Sequence, residues 1–481
     1  MSEGLEAACL ALAGEQAWLV GGAVRDELLG RETADYDIVV AGDTAQAAKA
    51  VAKAAGRAAC FPLSEEFGSW RVSARDGSWQ VDVEALRGAS LEEDLSLRDF
   101  TVNAIARPLG GGEPIDPLGG REDLRAGRLR AAGPSSFSLD PLRVLRLVRI
   151  AVELGIEPDH QTLREASSHA PELARVSGER IFVELRRTLA TPAARRGIEL
   201  TEQVGAAAVV LPELEALRGV EQSRYHHADV HEHTLQVLER SVELTPAADG
   251  PKGATAELGE HRLEVGRLIA EPLADQMSRG EALRWGALLH DIAKPQTRAV
   301  GQDGRVTFMG HDRLGSELAR KILTRLRTSE RLRAHVAALV RNHLRLGFLV
   351  HRPQPLDRRT VYGYLRACEP VEVDVTVLSM ADRLATLGAG SEKAVAAHLH
   401  LAREMLGDAL AWRAQGRPEP LLRGDRLAGE LGIAEGPVLG ELLEEIAQAR
   451  YAGELDSPEQ ALERAHELLR RRREDIAREA L

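Results

Sequence analysis

Apolar residues change their rhythm partway along the chain. Up to residue 130 they come in short runs of strand length, Ala17–Val20, Tyr36–Val40 and Trp79–Val83, the last alternating apolar and polar. Turn-forming residues separate them: Gly21-Gly22, Gly42-Asp43 and Asp76-Gly77. From about residue 139 the apolar positions recur at helical spacing, as in Leu142, Leu145, Val148 and Ile150. Gly110–Gly112 and Gly119-Gly120 punctuate the end of the first part. The pattern predicts an α+β fold: a mixed sheet with helices, then an almost wholly helical remainder. Breaks are expected at 245–258, Arg352–Pro355 and Gly416–Pro420, with a last helical piece beyond. No internal repeat is present.

Composition narrows the class. A chain of 481 residues accommodates roughly three or four domains. Hydrophobic residues make up 44% but aromatics only 4%, so the cores rest on Leu, Val and Ala, which suits a helix-rich protein. Cys9, Cys60 and Cys368 are widely spaced and odd in number, without a CxxC pair. That speaks against a disulfide framework or zinc ribbon and for the cytoplasm. The N-terminus lacks a basic stretch followed by an apolar one, and no apolar run is long enough for a bilayer, so neither signal peptide nor membrane association is expected. The net charge of -12 does not exclude nucleic acid, because a local basic stripe suffices. Arginine is dense over 143–196 and at Arg470–Arg473, where a solvated helix face is the simpler reading.

Four motifs carry chemistry. In Leu19-Val20-Gly21-Gly22-Ala23-Val24-Arg25-Asp26 a strand enters two glycines and then a helix. Gly21 and Gly22 let backbone N–H groups approach an anion, the helix start adds partial positive charge, and Arg25 reaches toward a triphosphate. Alone, such a turn is most often only a turn. Asp35-Tyr36-Asp37 sets two carboxylates on one face of a strand. They can bridge two Mg2+ ions about 4 Å apart, one activating a 3′-hydroxyl, the other neutralising a triphosphate and its leaving pyrophosphate. Two solvated acids at a strand start are the bland alternative. A third carboxylate is expected on a neighbouring strand: Asp82, in preference to Glu84 on the same face.

In Leu97-Arg98-Asp99-Phe100-Thr101-Val102-Asn103, Arg98 suits nucleotide phosphates or ribose. Asp99 and Asn103 suit a ribose hydroxyl or the bracing of the site, with a helix N-cap as the competing role for Asp99. Asp140-Pro141-Leu142-Arg143 opens a run in which Arg143, Arg146 and Arg149 stand at steps of three on an otherwise apolar helix. Asp140 before Pro141 also fits an N-cap followed by an N1 proline. As i, i+3 neighbours, Asp140 and Arg143 offer an acceptor and a flat donor fork. Asp140 would accept from the cytosine N4 amine while Arg143 donates to N3 and O2; for adenine the partners become N6 and N1. Bases are then chosen without a template.

In this order the four motifs resemble the bacterial class II tRNA nucleotidyltransferase and poly(A) polymerase family. Ile115-Asp116-Pro117-Leu118-Gly119-Gly120 with Asp123-Leu124, and Leu422-Arg423-Gly424-Asp425 through Gly436-Pro437 and Gly440, are similar to it too. The resemblance implies a polymerase-β-like nucleotidyltransferase head over 1–130, a helical neck over 131–220 for base selection and RNA binding, a body over 221–410 and a tRNA-binding tail over 411–481. It implies tRNA, CTP and ATP as partners, Mg2+ at Asp35 and Asp37, phosphate at Gly22 and Arg25, base selection at Asp140 and Arg143, and support from Arg146 and Arg149. Two features depart from the family. Leu139 stands where Glu often precedes the Asp. The link from Asp82 to Arg98 is too short for the family's flexible loop, and loss of that loop resembles enzymes that add only the two cytidines.

The second half holds most of the 15 histidines. His233, the adjacent His290-Asp291 followed by Lys294, then His311, His343 and Asp382 resemble, in that order, the HD phosphohydrolase superfamily. The resemblance implies one or two divalent metals that activate water against a phosphoester; Mn, Ni, Fe, Zn or Mg all suit such ligands. His226, His227 and His231 are weaker candidates. A single histidine is more often a cap or surface residue, but an adjacent His-Asp on an apolar helix is costly to bury unpaired. The expected function is CMP and AMP addition to tRNA 3′ ends with a fused phosphohydrolase. A poly(A) polymerase, and an HD hydrolase with a vestigial head, are the alternatives. A non-catalytic RNA binder fits poorly, since paired acids without metal repel phosphate.

Overall fold

The computed structural model describes residues 2–56, 58–64, 68–222, 228–245, 254–386 and 392–479. His226, His227 and most of the expected 245–258 break lie outside them; Ala254–His261 forms 3-10 turns. Contacts divide the chain into two compact units, Met1–Val210 and Leu211–Leu481.

The first unit is built on a six-stranded mixed sheet: β1 (Ala17–Val20), β2 (Asp35–Val40), β3 (Ala59–Ser64), β4 (Ser69–Ser73), β5 (Gln80–Ala85) and β6 (Ala106–Pro108), in the order β3-β4-β5-β2-β1-β6. β2 and β5 run parallel; the other neighbours are antiparallel. Alternation assigns the faces. Tyr36, Ile38 and Val40 join Leu19, Val72, Val81 and Val83 in a core that α1 (Glu3–Leu12) and α3 (Thr44–Ala54) cover. On the other face Val20 and Val39 pack with Leu91 and Leu95 of α4 (Leu91–Ser96). There Asp35 and Asp37 stay exposed. α2 (Gly22–Leu28) starts directly after the glycine turn, and the Asp43 carboxylate caps α3 by accepting from Gln46 N. Four further helices matter to the site: α5 (Gly120–Arg125), α6 (Ser136–Leu139), α7 (Arg143–Leu154), which buries Leu145, Val148 and Ile150, and, after α8 (His160–His169), α9 (Gly178–Ala190).

The three strands expected from short apolar runs are present, but β3, β4 and β6 were not anticipated. β3 is a largely exposed edge strand containing Pro62, so no buried face imposes alternation on it.

The second unit is helical apart from two short two-stranded ladders, at 272–278 and 299–307. Its centre is the helix Glu372–Ala385, buried nearly all round, as a helix without a polar face must be. A separate apolar cluster spans Leu422 to Leu469. In the final helix Arg471 and Arg472 pair with Glu467 and Glu441, a solvated helix face as expected. Among the described residues no helix is long and apolar enough to cross a membrane.

Candidate active site and metal centre

In the first unit, sheet register assembles the carboxylates. Val20 pairs with Asp37, Asp37 with Asp82, and Asp82 with Arg71. Paired residues share a face, so Asp35, Asp37, Asp82, Glu84 and Arg71 all project to one side. Gly21 turns the chain at φ +73 into α2; a Cβ there would sit 3.1 Å from Asp37 Oδ2 and 3.3 Å from Arg98 Nη1. The glycine thus serves both the left-handed turn and the close approach of backbone to the acid. Among the described residues no hydrogen bond reaches the carboxylate of Asp35 or Asp37, whereas both oxygens of Asp82 accept from Arg71, at 2.7 Å from Nε and 2.6 Å from Nη2. The density of protein around Asp37 pushes its pKa up to about 6; Arg98 opposes the rise, and Glu84, Asp82 and Asp35 add to it. Asp37 nonetheless keeps contact with solvent, which screens these neighbours. Two unengaged acids on one strand face fit divalent cations.

A buried chain of hydrogen bonds backs this face. Arg25 Nη1 donates to Asn103 Oδ1 at 2.7 Å, and Asn103 Nδ2 donates to Asp99 Oδ1 at 3.0 Å. Asp99 Oδ2 takes Arg146 Nη1 at 3.3 Å. Burial pushes the Asp99 carboxyl up, but Arg146, Asn103 and Arg143 outweigh it and hold the pKa below the usual range. Asp99 thus joins Asn103 to Arg146 and caps no helix. Arg98 is held by Asp94, a carboxylate with no solvent contact that also accepts from Arg87 N. The link before Arg98 is itself an ordered, capped helix, with Ser90 accepting from Glu93 N.

Asp140 and Arg143 do not meet as a free pair. Asp140 Oδ1 accepts from Leu142 N, and Oδ2 accepts from Arg180 Nη2 at 2.7 Å. α7 starts at Arg143, so the expected N-cap at Asp140 with N1 at Pro141 is displaced toward the C-terminus. Arg143 is buried, and its terminal nitrogens donate to the carbonyls of Leu97, Arg98 and Ser136. Arg149 is turned into ion pairs with Glu184 and Glu153, and Arg146 reaches Glu184 as well as Asp99. Arg149 thus ties α7 to α9 through its Nε, with Nη1 on Glu153 of its own helix. Sequence reasoning missed Arg71, Asp94, Arg180 and Glu184. Asp94, Arg180 and Glu184 lie in charged stretches that read as solvated surface, and Arg71 stands in a short strand whose pairing register alone brings it to Asp82.

In the second unit the six expected ligands converge from five segments. His233, His290 and Asp382 form one group and Asp291, His311 and His343 another, with ligand atoms within 4.8 Å of one another in each. Asp291 lies between them: Oδ2 is 3.1 Å from His290 Nε2, and Oδ1 is 3.3 Å from His311 Nε2. Three imidazoles set Nδ1 against a backbone carbonyl, His290 on Ala287, His311 on Phe308 and His343 on Val340. A proton placed on Nδ1 leaves Nε2 as a lone-pair donor facing inward, the arrangement of a metal-binding histidine. Burial opposes ionisation of Asp291, but His290 and Lys294 hold its pKa well below the usual range. His233 does the same for Asp382. Burial pushes His343 down to about 4, with His290 adding to it, so it stands neutral. Ionised carboxylates beside inward-facing imidazole nitrogens fit a divalent cation; without one, Asp291 holds the His290 pKa above its usual value against the effect of burial. Lys294 Nζ occupies Asp291 Oδ2 at 2.6 Å. His231 is buried but belongs to neither group.

Comparison with known proteins agrees with this division. Residues 17–130 match the poly A polymerase head domain, 155–217 the probable RNA and SrmB-binding site of polymerase A, and 258–387 the HD domain. An A-adding tRNA nucleotidyltransferase of Deinococcus radiodurans is 38% identical over 451 residues, covering 92% of this chain and 94% of that protein. A CC-adding tRNA nucleotidyltransferase of Thermus thermophilus is 34% identical over 455 residues, covering 93% and 92%. The fold is similar to that of a Thermotoga maritima CCA-adding enzyme solved with tRNA, at a TM-score of 0.58 and 21% identity over 94% of this chain and 91% of the other. With such identity sustained along nearly the whole of both sequences, this chain belongs to the tRNA nucleotidyltransferase family that is built on the poly A polymerase head domain.

Proposed function

We propose that this protein is a template-independent tRNA nucleotidyltransferase that adds CMP, AMP or both from CTP and ATP to the tRNA 3′ end in the cytoplasm. The observation that carries the reading is the pair of unengaged carboxylates, Asp35 and Asp37, beside the Gly21-Gly22 turn. Asp35 and Asp37 would hold Mg2+, and the ion would supply activation of the 3′-hydroxyl and charge neutralisation at the triphosphate. Gly22 and Arg25 bind phosphates, with Arg25 aimed by Asn103. Asp140 and Arg143 read the base edge. To do so Asp140 exchanges Arg180, and Arg143 its backbone carbonyls, for the base.

The short, capped link between β5 and Arg98 supports addition of the two cytidines only. The identity to the Deinococcus radiodurans protein supports a second reading, addition of the terminal A. Purified protein is given Mg2+ and either tRNA ending at the discriminator base or tRNA ending in CC, with CTP, ATP or both. Two cytidines on the first substrate and nothing on the second identify a CC-adding enzyme. One A on the second alone identifies an A-adding enzyme, and a full CCA on the first a CCA-adding enzyme. A long A ladder identifies a poly(A) polymerase, and no product on either overturns nucleotidyl transfer.

The HD group supports a metal-dependent phosphohydrolase that removes 2′,3′-cyclic or terminal phosphate from damaged RNA ends before addition. His233, His290, Asp291, His311, His343 and Asp382 would hold Mn, Ni, Fe, Zn or Mg. A His290→Ala/Asp291→Ala variant that still cleared cyclic phosphate from tRNA would overturn this role.

A further inference from the structure

We propose that Arg71 is a phosphate-binding residue of the transferase site and that Asp82 is its positioning residue, not a third metal ligand. The inference rests on the nucleotidyl-transfer reading above. Of the four acids that register brings to one face, Asp35, Asp37 and Asp82 differ in their engagement. Asp35 and Asp37 receive no hydrogen bond among the described residues, while Asp82 is closed by a two-pronged bond from Arg71. Such fork-to-carboxylate pairs are charge-assisted and directional. A metal at Asp82 would have to share that carboxylate with the guanidinium, setting two cations against one acid, which is unfavourable. The pair is also fixed by the sheet, because Arg71 and Asp82 are cross-strand partners in the β4–β5 ladder.

The fork uses Nε and Nη2 of Arg71. Nη1 has no hydrogen-bond partner among the described residues, and the side chain is about one-third exposed on the carboxylate face. That face would otherwise be strongly anionic: Asp35, Asp37, Asp82 and Glu84 all project from it, with Glu84 taken by Arg87. A triphosphate and an RNA end must both enter there. A guanidinium that neutralises Asp82 and still offers N–H groups lowers that repulsion, and its ligand is a phosphate oxygen. The phosphate belongs either to the nucleotide triphosphate or to the RNA backbone.

The test uses the full chain and five variants: Arg71→Ala, Arg71→Lys, Asp82→Asn, Asp82→Ala and the double Arg71→Ala/Asp82→Ala. Readouts are KM for CTP, ATP and tRNA, the Mg2+ concentration for half-maximal rate, and calorimetric binding of α,β-methylene CTP. Arg71→Ala should weaken phosphate binding about tenfold or more, the loss expected for one charged hydrogen bond. If the phosphate is the nucleotide's, the analogue Kd and nucleotide KM rise; if it is the RNA's, only the tRNA KM rises. Arg71→Lys should recover part of the loss. Asp82→Ala should mimic Arg71→Ala, the double variant should be no worse than Arg71→Ala, and the Mg2+ midpoint of Asp82→Asn should not move. A tenfold higher Mg2+ midpoint in Asp82→Asn, with Arg71→Ala unchanged in every binding constant, would overturn the proposal. A wild-type chain that adds no nucleotide at all sinks the nucleotidyl-transfer reading instead.

Discussion

Asp37 depends on its neighbours for its charge. Surrounding protein raises its pKa to about 6, and the adjacent acids do the same, while Arg98 pulls it back. Asp35→Ala or Asp37→Ala should reduce incorporation by about three orders of magnitude or more, the loss of several kcal/mol of metal stabilisation, while tRNA binding by gel shift stays near wild type. A parallel loss of both would mean that the acids hold structure and do no chemistry. In the second unit His335 gives a pH signature away from both sites. Its imidazole is buried beside Asp374, which pairs with Arg279, and Arg413 and Arg331 also face it. Burial lowers its pKa from 6.5 to about 4. The unfolded chain therefore takes up a proton in that window that the folded chain refuses. This contribution to stability is complete above pH 6.5 and is lost as the pH falls toward 4, by about 3 kcal/mol in all. His335→Leu should flatten the acid limb of a denaturation-against-pH curve by one proton; an unchanged slope would remove His335 from the account.

At the scale of elements, two contacts hold the transferase site together. Gly120, at the start of α5, lies against the 3-10 turn Thr101–Asn103, and a Cβ there would fall 2.1 Å from Thr101 O. Asp123 in α5 accepts from Thr101 Oγ1 at 2.6 Å, so helix and turn move as one. Gly120→Ala should cost about 3 kcal/mol or more, seen as a lower urea midpoint, because backbone cannot swing aside as a side chain would. The second contact is Arg143, which ties α7 to the carbonyls of Leu97 and Arg98. Arg143→Ala should both blur the choice between CTP and ATP and lower stability by about 1–3 kcal/mol through orphaned carbonyls. Equal loss for both nucleotides, with selectivity unchanged, would leave only the strap.

At the scale of the whole molecule, the two units invite separate measurements. Mn or Ni at a hundredfold excess over its Kd should stabilise the second unit by about 2.7 kcal/mol, raising one calorimetric transition. His311→Ala/His343→Ala should abolish that shift and leave tRNA extension in place. A metal shift that survives in this variant would move the metal elsewhere.

The linear order of residues was enough to find both constellations, because their chemistry demands rare local combinations. Asp-x-Asp sets two acids on one strand face, a glycine turn leads into a helix, and an adjacent His-Asp closes an apolar helix. The three strands, read from short apolar runs, and the helical remainder, read from its 3.6-residue period, were legible too. β3 was not, because an exposed edge strand carries no such period. What only the tertiary structure decided is who partners whom. Asp82 meets Arg71, Asp140 meets Arg180, and Arg143, read as a base fork, donates to backbone carbonyls. A charged side chain takes the partner that packing brings within about 3 Å, and sequence separation says nothing of that distance. The composition of the sites was thus written in the chain; their wiring depended on register and on helix packing.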